Sequence, residues 1–212
     1  MEIHGPEGPT HSFKDFLIHI VIVTIGILIA LGLEAVRETI YVHRIVRDAR
    51  ENFRVELETN RKNLDKELKN DRETLAHVDQ IIADLPKLRR DPAQFNTLVA
   101  ELHPSGYFFS SARWEAALST GALGHMSVDE VNQYAGTNFL VHDYTNLELQ
   151  TNTDWQQLEA YVSAHESPTP QEMSTGVEKL YLYRADTRSL KQVGEEFSNS
   201  LNKALSQKPN QK

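Results

Sequence analysis

The sequence predicts an all-α protein: an N-terminal transmembrane helix continuing into a long coiled-coil-like juxtamembrane helix, followed by an α-helical bundle. Three observations predict it. Phe16 to Leu33 is an unbroken apolar run of 18 residues in which His19 is the one ionisable side chain. No proline or glycine interrupts Leu33 to Leu85. The remainder carries repeated helix-start chemistry and lacks the alternating patterns and Asn-Gly turns of strands and hairpins.

The first element is the apolar run. As a helix, 18 residues rise about 27 Å, close to the hydrocarbon thickness of a bilayer. Isoleucine, valine and leucine occupy every face, whereas a surface helix of a globular domain keeps a polar stripe. A cleaved signal peptide is the nearest rival, since Ala30 and Gly32 resemble a small-x-small cleavage site. Its apolar core is usually shorter, however, and here the preceding segment is acidic at Glu2, Glu7 and Asp15 with Lys14 its one base. The run therefore reads as an uncleaved anchor over residues 13–35, behind a short polar tail, 1–12. Ser12 with Asp15 three residues later forms a capping box for a start near Phe13. His19 falls near the headgroup level, and Gly26 with Ala30 makes a small-xxx-small pair that lets two spans approach closely.

Basic residues near the ends set orientation. Lys14 stands before the span, and Arg37, Arg44, Arg47 and Arg50 follow it. The excess places the C-terminal part in the cytoplasm, although a chain with no cysteine leans mildly toward export.

The second element, residues 36–86, carries a seam through Phe53, Leu57, Asn60, Leu64, Leu68, Asp71, Leu75, Val78, Ile82 and Leu85. Its three- and four-residue steps are those of a coiled coil. Asn60 and Asp71 stand where leucine is expected, and polar residues at such positions set register or oligomer state. On this reading Asn60→Leu would stabilise the assembly or change its oligomer number. Pro86 ends the helix.

The third part, residues 87–206, is divided by caps. Asp91-Pro92, Ser127 with Glu130, and Thr169-Pro170 with Glu172 each open a helix. They give helices at Pro92–Leu102, Ala112–Thr120, Val128–Ala164 and Pro170–Ser206, with Gly121 and Gly124 at helix ends. On the last helix Met173, Val177, Leu180, Val193, Phe197, Leu201 and Ala204 form an apolar face. Trp114, Tyr134, Phe139 and Trp155 are expected in the bundle core, and 207–212 form a frayed polar tail.

Composition limits function. The 212-residue chain carries a formal charge of -8, concentrated beyond Asp91. Such an acidic distal part is a poor match for nucleic acid. The mean hydropathy of -0.47 excludes a protein with many spans. Without cysteine there is no disulfide, thiolate metal site or cysteine nucleophile. None of the nine histidines pairs with another at helical spacing, and His142 beside Asp143 is the nearest local candidate for a metal. HExxH, GxSxG and phosphate-binding glycine loops are absent. No cofactor, metal or catalytic residue is expected, and an enzyme is the weakest of the function classes.

The stretches HSFKDFLIHIVIVTIGILIALGLEAVRE, YVHRIVRDARENFRVELETNRKNL and ARWEAALSTGALGHMSVDEVNQYA resemble an uncharacterised family of small bacterial membrane proteins. Trp114 followed by the Gly121 turn is the most distinctive piece. The resemblance implies one N-terminal span, an α-helical remainder and the inner membrane of a Gram-negative bacterium; it supplies no activity. The expected role is a single-pass, homo-oligomeric scaffold that contacts the lipid bilayer and a protein partner. Gly26, Ala30, Asn60, Asp71 and Trp114 are its candidate contact residues. The rival is a tethered sensory module whose pocket is lined by Asn60, Asp71 and Trp155.

Overall fold

A computed structural model of the protein describes residues 13–104 and 106–206. Ser12, the expected first cap, lies outside them, as do the tails 1–12 and 207–212. Among the described residues there are five α-helices and no strand: α1 (Phe13–Leu88), α2 (Pro92–Ala100), α3 (Ala112–Ser119), α4 (Val128–Ala164) and α5 (Pro170–Ser206). A short 3-10 helix, Ala122–His125, joins α3 to α4. The fold class is all-α, with a long N-terminal helix followed by a helical bundle. The chain divides into two units, Met1–Arg47 and Asp48–Lys212.

In the first unit, α1 contains an 18-residue window of mean hydropathy 2.8, none of which is buried. Side chains from Phe16 to Leu33 stand exposed on every face of the helix. The His19 ring satisfies itself locally, Nδ1 lying 2.7 Å from the Asp15 carbonyl oxygen. At the polar end Arg37 pairs with Glu34 at 2.6 Å.

The second unit is built on three long helices. The part of α1 from Asp48 onward belongs to it and forms one wall of the bundle. Two apolar clusters fix the directions. One joins Val78, Ile81, Leu85 and Leu88 of α1 to Leu158 and Val162 of α4 and to Met173, Leu180 and Tyr183 of α5; Phe95 and Val99 of α2 cap it. The other joins Leu57, Leu64 and Leu68 of α1 to Val141 and Tyr144 of α4 and to Leu190, Phe197, Leu201 and Ala204 of α5. Within this unit α4 therefore runs parallel to α1, and α5 returns antiparallel to both. A parallel pair needs a crossover, which α2, residues 102–104 and 106–111, and α3 provide.

The caps work as the sequence implies. The Asp91 carboxylate accepts the Gln94 N–H, and the Ser127 hydroxyl accepts the Glu130 N–H. Thr169 and Glu172 form the reciprocal box: the Glu172 carboxylate accepts from the Thr169 N–H at 2.7 Å, and the Thr169 hydroxyl accepts from the Glu172 N–H at 3.3 Å. Gly121 takes a left-handed φ of 74° just after α3, a conformation that disfavours side chains with a Cβ.

Several expectations are corrected. Pro86 lies inside α1, which continues to Leu88; the Arg89 N–H still reaches the Leu85 carbonyl, and Leu88 is held in the core. The inward face of α1 includes Glu67 and Ile81, whereas Leu75 and Ile82 are half-buried. Phe139 is 66% exposed, because α4 turns Thr137, Val141 and Tyr144 inward and position 139 points away from them. Trp114, Tyr134 and Trp155 are half-buried at the edges of the core. On α5 the buried positions run 173, 176, 180, 183, 187, 190, 194, 197, 201 and 204, an unbroken three–four alternation. Val177 and Val193, expected on that face, flank it.

Candidate functional site

Between the two apolar clusters lies a polar waist. Glu67 and Asp71, one turn apart on α1, are 1% and 3% exposed. Their spacing places both on the same face. From α4, fully buried Tyr144 donates its hydroxyl to the Asp71 carboxyl at 3.4 Å, and Glu148 stands one turn further along. Thr151 and Asp154 of α4 and Tyr183 and Thr187 of α5 continue the layer. Both threonines return their hydroxyls to their own helix, to the carbonyls of Leu147 and Tyr183.

The electrostatics follow from burial. Removal from water, and then the neighbouring Glu67, push the Asp71 carboxyl up to about 7; the Tyr144 hydroxyl, Arg72 and Lys191 act in the opposite direction. Burial, then Glu67 and Asp71, raise Glu148 to about 7, against the backbone N–H of Tyr107. Asp186 of α5, partly desolvated and hydrogen-bonded to Asp154, rises to about 6. Burial pushes Tyr183 up to about 12 and raises Tyr144 as well. A carboxyl desolvated beside other carboxyls favours its neutral form.

Residues 102–104 and 106–111 form a strap across this part of the bundle, and side chains hold its backbone. Asn60 pairs with Ser110 twice: its amide N–H donates to the Ser110 carbonyl at 2.8 Å, and its carbonyl accepts the Ser110 N–H at 3.0 Å. Asn63 donates to the Phe108 carbonyl, and Glu56 accepts from the Ser110 hydroxyl and the Arg113 N–H. The Glu148 carboxylate accepts the Tyr107 N–H. A Cβ at Gly106 would lie 3.3 Å from that carboxylate, so the strap lies close against it. At the strap's start Trp155 donates its indole N–H to the Leu102 carbonyl at 2.8 Å. Phe109 then enters the core edge-on to Tyr144 and Phe197, with ring centroids 5.2 and 5.7 Å away.

The sequence-predicted residues separate accordingly. Asn60 and Asp71 are both interior, and each has a partner within the chain. Asn60 anchors the strap and Asp71 belongs to the waist, so the register-setting role expected between chains has an intrachain counterpart. Trp114 stacks toward Phe53 at 6.1 Å and, with Asn60 and Asn138, lines a cavity of about 20 Å³, room for one water. Gly26 and Ala30 lie on the exposed apolar stretch of α1.

Glu67, Tyr144, Glu148 and Tyr183 were missed. The unbroken α5 alternation exposes Tyr183 to pattern reading, and the four-residue step from Glu67 to Asp71 was the available signal on α1. Nothing in the sequence marks Glu148, since its burial depends on the strap. Among the described residues no three His, Asp or Glu side chains are arranged to hold a metal ion, and His142 is exposed. The chain matches no protein-family model, no curated protein and no solved structure.

Proposed function

We infer that the protein is a single-pass membrane-anchored helical scaffold that works through protein–protein contacts at the bilayer surface. The carrying observation is the wholly exposed apolar window of α1. Left in water, an all-round apolar helix of that length would incur a large hydrophobic cost, and lipid relieves it. The basic residues after the span favour a cytoplasmic bundle, and the resemblance to a bacterial family favours an inner membrane. Outward-facing Val128, Phe139 and Leu149 on α4, each more than 60% exposed, are the contacts we assign to a protein partner.

Self-association belongs to the same proposal but rests on less. The seam that suggested it is filled by α4 and α5, which leaves Gly26 and Ala30 as its support. A small-molecule sensor has less support still: Asn60, Asp71 and Trp155 are committed to Ser110, Tyr144 and Leu102.

Crosslinking in native membranes tests the interaction role. Capture of a partner through residues placed at Val128, Phe139 or Leu149 is expected. A protein recovered strictly monomeric, with no neighbour captured from any of the three, contradicts it.

A further inference from the structure

We propose that the bundle is a proton-responsive device, held closed while the carboxyls of Asp71 and Glu148 keep their protons in the waist and loosened between α1 and α4 when they ionise. The proposal goes beyond the interaction role and does not depend on the membrane assignment.

The geometry carries it. Glu67 and Asp71 occupy consecutive inward turns of α1, and Tyr144 and Glu148 occupy consecutive turns of α4 opposite them. From α5, Tyr183 faces Asp71. The cations nearest Asp71 are drawn to the surface: Lys191 lies 3.1 Å and Arg72 3.9 Å from the Glu195 carboxylate. Lys66 stands over the outer ring face of Tyr107 at 5.1 Å, on the strap. The waist thus collects acid from two helices while these bases remain at its rim. Asp71 and Glu148, desolvated beside each other and beside Glu67, ionise at a cost in the folded state. Protonated, the same groups become donors and can bond to one another and to Tyr144.

The direction of the response is opposite to ordinary acid denaturation. Asp71 and Glu148, each raised to about 7, bind protons in the folded state that the unfolded chain has already released. Their contribution is complete below the unfolded carboxylate range of about 4 and is lost as pH rises through 7. The bundle should therefore be tighter at pH 5 than at pH 8. Glu148 has the readier exit, because it is half-buried under the strap whereas Glu67 and Asp71 are enclosed.

The test uses the full chain in detergent micelles. Thermal unfolding followed by circular dichroism should show Tm falling by roughly 5–10 °C between pH 5 and pH 8. Hydrogen exchange across Tyr144–Thr151, corrected for its intrinsic pH dependence, should rise over the same range. The double variant Asp71→Asn, Glu148→Gln should lose most of both slopes. A wild-type Tm that is flat or rises across this range overturns the proposal, as does a double variant that keeps the full slope. Should that variant fail to fold, infrared difference spectra of the wild type decide. Loss of a protonated-carboxyl stretch between pH 6 and pH 8 supports the device, and no such band at pH 6 overturns it.

Discussion

Asn60 satisfies both backbone groups of Ser110 with one side chain, and a leucine there could satisfy neither. Burying an unpaired N–H and carbonyl costs on the order of 1–3 kcal/mol each. Asn60→Leu is thus expected to destabilise the bundle by about 2–4 kcal/mol in urea unfolding. The sequence-based expectation was that leucine would stabilise the assembly or change its oligomer number; an unchanged midpoint would remove Asn60 as the strap's anchor. Gly194 is a second residue whose role is steric. A Cβ there would come within 2.8 Å of a Leu68 methyl and 2.9 Å of the Tyr144 ring. Leu68 can rotate away, but Tyr144 is fixed by Phe109 and Asp71. Gly194→Ala should therefore lose about 1–2 kcal/mol to overpacking, although alanine favours helix. Residues such as these are hard to read in sequence because their partners lie far along the chain. Asn60 was visible as a polar interruption of an apolar seam, but the sequence could not show that Ser110 fills the space opposite.

The elements were the most legible level. α4 and α5 begin where their caps predict, because the Ser127 and Thr169 hydroxyls each accept the N–H of the residue three further on. Ser127→Ala should cost about 1 kcal/mol, read as a fall in the urea midpoint with unchanged slope. What failed at this scale was the facing of α4. α4 turns threonines, a tyrosine and an aspartate inward beside Val141, Leu158 and Val162, while Phe139 and Leu149 point out, so its apolar residues mark its buried side only in part. α1 and α4 are also joined by a specific pair: Arg50 donates two bonds to the Glu130 carboxylate at 2.7 and 2.8 Å, both side chains largely shielded. Arg50→Met leaves Glu130 without its cation and is expected to destabilise by about 2–3 kcal/mol. A double-mutant cycle with Glu130→Gln should show coupling between them; additive losses would mean that the pair is incidental.

At the scale of the whole molecule, two physical tasks are divided along the chain. In the first unit the stretch 16–33 presents apolar surface in every direction, and the second unit buries its own apolar seams and keeps acid at its waist. Hydropathy alone revealed the first, since an uninterrupted run needs no tertiary information. The second was legible as a bundle, but its membership was not: the coiled-coil spacing of α1 fits an intrachain partner as well as a second copy, and sequence does not distinguish them. On the proposed orientation, a C-terminal reporter that works only in the cytoplasm should be active and one that works only in the periplasm should be silent. Alkaline extraction of membranes, followed by intact mass of the retained protein, tests membrane anchoring most directly. Retention in the membrane pellet with the span uncleaved is the expected result. Release into the supernatant, or a mass showing cleavage after Gly32, would contradict it.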